Sequence, residues 1–203
     1  MILFPNKFKN HQAGMSYIEL IIVLSIFALM SSVVLYNHRG FQAKVDIKNL
    51  ANDIALKIVE AQKSANFGSL PPSPQLGMII SGWKPSYGVH FDLSADNKRF
   101  IYFTDVNNND VYEGSTCGGE CLESITITKG NSISAIDVFY QGSSTGSSFS
   151  NMTISFARPS LGADFYSSSA FTSSINYIQI TITSPDSASA RIRVYPSGRI
   201  EIN

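Results

Sequence analysis

The first third of the chain is patterned as a helix that passes through two different surroundings. Over residues 17–36 every position except Glu19 is apolar or small, a run of about 20 residues, which is the length a helix needs to cross a bilayer core. Past Tyr36 the period of a helix continues but becomes one-sided. Ile47, Leu50, Ala51, Ile54, Ile58, Ala61 and Ala65 recur at spacings of three and four, while Lys48, Asn52, Asp53, Lys57 and Lys63 fall elsewhere around the wheel. Such a stripe needs a surface to lie against. Asn66-Phe67-Gly68 followed by Pro71-Pro72 is a stop signal, because glycine takes the left-handed cap conformation and proline cannot continue a helix. A continuous helix over 17–67 would be about 75 Å long.

Residues 70–85 are rich in proline and glycine and read as a linker, after which the helical period disappears. Residues 87–93, 99–103, 124–128, 135–140, 152–156, 177–183, 191–195 and 199–202 are short, β-branched or aromatic, and separated by turn residues. They predict an antiparallel β head. Tyr195-Pro196-Ser197-Gly198 places proline and glycine where a type I turn favours them and joins the last two strands. Two serine-rich stretches, 142–150 and 167–174, read as loops or edge insertions. The fold class is therefore α+β, a long N-terminal transmembrane and amphipathic helix packed on an antiparallel sheet head. Its divisions are 1–14, 15–37, 38–67, a linker at 68–86 and the head at 87–203.

Composition narrows the class of function. The chain has 203 residues, 44% hydrophobic and 15% charged, with 15 Lys+Arg against 15 Asp+Glu. That is one moderate domain beside a membrane segment, and its balance argues against a dedicated nucleic-acid binder, which is usually strongly basic. Gly142-Ser143-Ser144-Thr145-Gly146 matches G-x-S-x-G in form, but the head's single histidine, His90, lies upstream, so no serine triad can follow it. With His11 and His38 far from His90 there is no three-histidine metal site either, and an enzyme is not expected.

The segment before the apolar run carries Lys7 and Lys9 and ends in Gly14, directly followed by Met15. A secretory signal is cut after its apolar region; here the sensible junction precedes it, so cleavage would keep the hydrophobic segment. Removing Lys7 and Lys9 leaves 13 basic against 15 acidic residues, a formal charge of −2. Arg39, Lys44 and Lys48 follow the span, so flanking charge alone does not orient it. A carboxylate inside a span costs on the order of 3 kcal/mol and reads as functional. Cleavage after Gly14 creates a positive amine four residues before Glu19. A neighbouring copy displaced along an axis would offer its own amine to that carboxylate, and in a low dielectric the two charges would neutralise each other.

Gly14 at the end of a short basic leader, Met15 at the start of the apolar run and Glu19 as the fifth residue after the junction resemble the class III signal of type IV prepilins and pseudopilins. The resemblance implies cleavage after Gly14 by prepilin peptidase, N-methylation of Met15, and a role for Glu19 in assembly. Met15 stands where phenylalanine is usual in that family, and Tyr36 where many members carry a helix-kinking proline. A strand running into Phe103-x-Asp105-x-Asn107-x-Asn109 and a terminal strand with Gly198-Arg199 resemble the head of minor pilins and pseudopilins of the GspH/FimT type. The implied partners are other pilins or pseudopilins, the peptidase and an inner-membrane assembly platform. The implied location is a single inner-membrane pass with the head outside the cytoplasm, then a type IV pilus or type II secretion-like filament.

Three patches of the head carry further chemistry. Asp105, Asn107 and Asn109 alternate like positions 1, 3 and 5 of a calcium loop, with the Val111 carbonyl and Glu113 at 7 and 9. Asp110 replaces the glycine of the sixth position and Thr116 the glutamate of the twelfth, with Glu120 or Glu123 nearby. Two readings stand, a weak calcium site of a filament-tip adhesin or a turn whose side chains bond their own backbone. Cys117 and Cys121 are the chain's two cysteines; with one distant histidine they are too few for a metal site. In an exported domain they close a local disulfide, and in a cytoplasmic one they stay free thiols. Arg191 and Arg193 share one strand face, with Arg199 past the turn. Some competence pilins of the resembled family bind DNA through a carboxy-terminal Gly-Arg-x-Arg patch. The matching stretch here is Gly198-Arg199-Ile200-Glu201, with glutamate at the second arginine, and a plain solvated strand face is the competing reading.

Overall fold

The pattern of the first third is realised as one helix, α1 (Tyr17–Phe67), in a computed structural model that describes residues 14–79, 84–114, 117, 119–160 and 162–203, with the backbone alone at 36–39. Leader residues 1–13 and Thr116 lie outside the described residues. The chain divides into two units, Met1–Phe41 and Gln42–Asn203. In the first, α1 begins with Leu20 N–H donating to the Ser16 carbonyl at 3.1 Å. Its large apolar side chains are exposed throughout, from Met15 at 64% to Leu35 at 67%. Among the described residues α1 is the one helix long and apolar enough to cross a membrane.

In the second unit the predicted stripe is buried. Ala51, Ile54, Ile58, Ala61 and Ala65 are fully enclosed, Ile47 nearly so, and Leu50 is half-buried against the same core. The helix stops where glycine was expected to stop it. Gly68, at φ 61°, donates to the Ala65 carbonyl at 3.0 Å and Ser69 to the Ser64 carbonyl at 3.0 Å, the paired bonds of a Schellman cap. The linker then holds a short helix, α2 (Ser73–Leu76), which the proline-rich sequence did not announce.

Among the described residues ten strands form two five-stranded antiparallel sheets. One is built from β1 (Ser86–Asp92), β2 (Arg99–Asp105), β3 (Cys121–Thr126), β6 (Asn151–Phe156) and β7 (Asp164–Tyr166), in the order β3-β2-β1-β6-β7. The other has β4 (Ser132–Tyr140), β5 (Gly146–Phe149), β8 (Ile175–Thr183), β9 (Ser189–Val194) and β10 (Ile200–Ile202), in the order β10-β9-β8-β4-β5. The inward faces of both sheets share one hydrophobic cluster with the α1 stripe: Val89, Phe91, Phe100 and Ile154 from the first, Ile136, Ile178, Ile180 and Ile192 from the second. A bulge between Ile133 and Ala135 shifts the alternation, so Ile133 and Ile136 both point into that core.

The strand expectations hold for most of the head. The segment expected at 124–128 begins earlier, at Cys121, and the serine-rich stretch at 142–150 contains edge strand β5. The turn after β9 forms as expected, Gly198 N–H donating to the Tyr195 carbonyl at 2.8 Å. On β1, Gly88 admits no side chain: a Cβ there would lie 2.5 Å from the Ile154 carbonyl oxygen and 2.6 Å from the Phe103 ring.

Candidate functional site

Glu19 lies in the first turn of α1, with Gly14, Met15 and Ser16 ahead of it outside regular structure and exposed. A carboxylate in a first turn is favoured by the unpaired N–H groups of the helix start. It is the sole charged side chain in residues 14–37. Further along, Ser25 returns its hydroxyl to the Ile22 carbonyl at 2.8 Å, which removes one more polar group from an apolar surface. The arrangement is therefore a long apolar helical segment with one carboxyl group in its first turn.

The Asp/Asn-rich segment leaves the end of β2 and folds over the outward face of the first sheet. Tyr112 packs there on Phe103 at 5.5 Å and on His90 at 5.2 Å between ring centroids, closing a small second core of Ile101, Phe103, Tyr112 and Cys121. Asp105 is fully buried. Its Oδ1 accepts from the N–H groups of Asn107 at 3.0 Å and Asn108 at 2.8 Å; its Oδ2 accepts from Asp110 N–H at 2.9 Å and Ser86 Oγ at 3.3 Å. Glu113 accepts from the side-chain amides of Asn107 at 3.0 Å and Asn109 at 2.6 Å, and Asn109 Oδ1 accepts from Val111 N–H at 3.0 Å. Glu120, which the sequence offered with Glu123 for the missing twelfth position, accepts from Val106 and Glu113 N–H groups at 3.3 and 3.2 Å.

In the structure the oxygens of the motif are turned to the loop's own N–H donors, the bonds that the turn reading calls for, and among the described residues no three His, Cys, Asp or Glu side chains are grouped to hold a metal. Asp105, Asn107, Asn109, Val111 and Glu113 form a turn built around carboxylates, with Asn108 and Asp110 both at positive φ. Burial raises the Glu120 carboxyl above its ordinary range, against the lowering effect of its two backbone bonds. Burial, then the Asp110 charge, raises Asp164 in the same way. Tyr166 donates to Asp110 at 3.2 Å and is pushed up to about 12, by burial first and by the Asp110 and Asp164 charges next. His90, bonded through Nδ1 to Thr153 Oγ1 at 2.8 Å, is held below its ordinary value by burial.

Cys117 and Cys121 form a disulfide, Cα atoms 4.9 Å apart, which ties the end of this segment to the start of β3. At that point Gln75 of α2 donates to the Cys121 carbonyl at 3.0 Å, so linker, disulfide and edge strand meet.

Arg191 and Arg193 share the outward face of β9 as expected, but Arg193 is engaged inside the sheet. Its Nε donates to Gln179 at 3.1 Å and its guanidinium lies 5.0 Å from the Tyr177 ring. Arg199 stacks on Tyr195 at 3.9 Å and pairs with Glu201 at 3.1 Å. Of these three arginines, Arg191 alone is exposed and in no ion pair. An aromatic row that sequence reasoning missed underlies them: Phe139 stacks on Tyr177 at 4.6 Å, and Tyr177 meets Tyr195 at 5.5 Å. The period of two along β4 and β8, and on from β9 to Tyr195 just past its end, places all three on one face, a signal present in the sequence but usable only once strand order is known.

Comparison with family profiles, curated proteins and solved structures finds no match. The chemistry of the chain therefore rests on its own residues.

Proposed function

We propose that this chain is a minor pilin or pseudopilin, a structural subunit of a type IV pilus or type II secretion-like filament, processed between Gly14 and Met15. One observation carries the reading. A single helix is provided with a partner surface over its second half and with none over its first, where residues 15–35 expose their apolar side chains and Glu19 is the sole charge. A bilayer satisfies that surface before assembly, and neighbouring copies of the same helix satisfy it afterwards. Glu19 then gains the cation that its position lacks, the amine of an adjacent subunit released by cleavage after Gly14.

The head supports the same reading by what it spends its polar groups on. The carboxylates of the Asp105 segment are acceptors for backbone N–H groups, and Arg193 and Arg199 are engaged with Gln179, Glu201 and tyrosine rings. These are the contacts of a scaffold. A calcium-dependent tip or a DNA-reading surface would leave such groups free for a ligand.

The test is made in cells that carry prepilin peptidase. Mass spectrometry of the mature N-terminus is expected to show residues 1–14 removed and the new terminus at Met15. Glu19→Gln is expected to leave cleavage and membrane insertion intact while incorporation into filaments falls at least about tenfold, the loss of one strong charge pair in low dielectric. An intact leader in the presence of active peptidase, or unchanged incorporation of the Glu19→Gln chain, overturns the proposal.

A further inference from the structure

Two lysines in the second unit stand close together on α1. Lys44 and Lys48 are spaced four apart on α1, where like charges on one helix face repel. Both are exposed, and neither forms an ion pair among the described residues. The acid between them is already committed: Asp46 accepts from Lys129 at 2.7 Å and from Gln42 at 3.2 Å. Its carboxyl is held below the ordinary range, chiefly by the Lys129 bond.

The two lysines flank a cavity of about 520 Å³. Ile47, Ala190 and Ile202 give it an apolar lining, and Ser189 at the start of β9 adds a hydroxyl. Asp186, in the turn before β9, is not part of the lining. A ligand that fits this chemistry carries a negative charge for the ammonium groups and an apolar body for the floor. The chain itself says where such a ligand is concentrated. Seven residues separate Lys44 from residue 37, the end of the apolar span; even fully extended, they keep it within about 25 Å of the headgroups. Anionic headgroups attract nearby lysines strongly.

We propose that this cavity is a binding site for the headgroup and upper acyl region of an anionic glycerophospholipid, the phosphate lying between Lys44 and Lys48 and the glycerol and first methylenes on Ile47, Ala190 and Ile202. The proposal rests on α1 spanning a membrane, and it adds to the filament reading a lipid that the subunit holds between α1 and the start of β9.

The experiment uses the full chain in detergent micelles, titrated with phosphatidylglycerol, with phosphatidylcholine, or with glycerol 3-phosphate, while hydrogen exchange is followed at the amides of residues 187–190. Phosphatidylglycerol is expected to slow exchange there and phosphatidylcholine to leave it unchanged. Lys44→Gln with Lys48→Gln is expected to raise the phosphatidylglycerol needed for half-protection about thirtyfold, the combined effect of two surface lysines on an anionic lipid. Lys63→Gln, elsewhere on α1, serves as the charge control and is expected to change nothing. Equal protection by phosphatidylcholine, full protection by glycerol 3-phosphate alone, or a double variant that titrates like the parent overturns the lipid site. Flotation with vesicles separates the two readings. A chain that fails to float yet shows protection in micelles defeats the membrane reading alone. One that floats without protection defeats the lipid site alone.

Discussion

Asp105 organises the segment that follows β2. Its carboxylate takes three backbone N–H groups and the Ser86 hydroxyl with no exposure to solvent. Hydrogen bonds to a charged acceptor are stronger than neutral ones, and removal of the acceptor strands buried donors. Asp105→Ala is therefore expected to lower the stability of the head by about 3 kcal/mol, read from the midpoint of urea unfolding. The difference is expected to be the same in calcium and in chelator, because the acceptors serve N–H groups; a loss seen only with calcium present would restore the cation reading. Two phenols mark the buried flanks of the head. Tyr166 and Tyr87 are both pushed up to about 12, Tyr87 by burial and then by the neighbouring Tyr102. Their folded values lie above the unfolded value, so the stability they contribute is complete below pH 10 and is lost as pH rises from 10 to 12. Ultraviolet absorption of ionised tyrosine during an alkaline titration should show these two groups titrating last, together with unfolding.

At the scale of elements, α1 is held to the head by its stripe and by a few polar ties. Lys57 reaches Glu123 at 2.7 Å, Tyr87 donates to the Ser69 carbonyl at 2.7 Å, and Tyr102 donates to Ser64 at 3.2 Å. Burial dominates, because exposed ion pairs contribute little. Ile54→Ala is expected to destabilise the full chain in micelles by about 3 kcal/mol. Leu56→Ala, at a position 64% exposed, should stay within about 0.5 kcal/mol; chemical denaturation of both variants checks the contrast. The helix, its buried stripe and its Gly68 cap were legible in the sequence because each depends on spacing within a few residues. Strand β5 was not. Its Gly146-Ser147-Ser148-Phe149 has no alternation to detect, and it forms because β4 offers an edge, with Ser148 bonded to Asp137 and Gly146 under the Phe139 ring. β7, three residues long, was likewise too short to leave a period. The roles of Glu120 and Tyr166 in the Asp105 segment were hidden for a related reason. Tyr166 stands 56 positions from Asp110, and only the pairing of β6 with β7 brings them together.

For the whole molecule, the groups on which the proposed function rests, Gly14, Met15 and Glu19, are local and need no fold to be seen. The features that needed the fold are those of the head: the acceptor role of Asp105, the aromatic row beneath the arginines, and the cavity beside Lys44 and Lys48. Each sheet ends in strands that make poor templates for addition of a further chain. β5, β7 and β10 have four, three and three residues; β3 is longer, but Gln75 covers its first carbonyl. In the proposed filament, growth would thus depend on the apolar first half of α1 and not on strand addition from head to head, which confines it to the site where those helices are delivered.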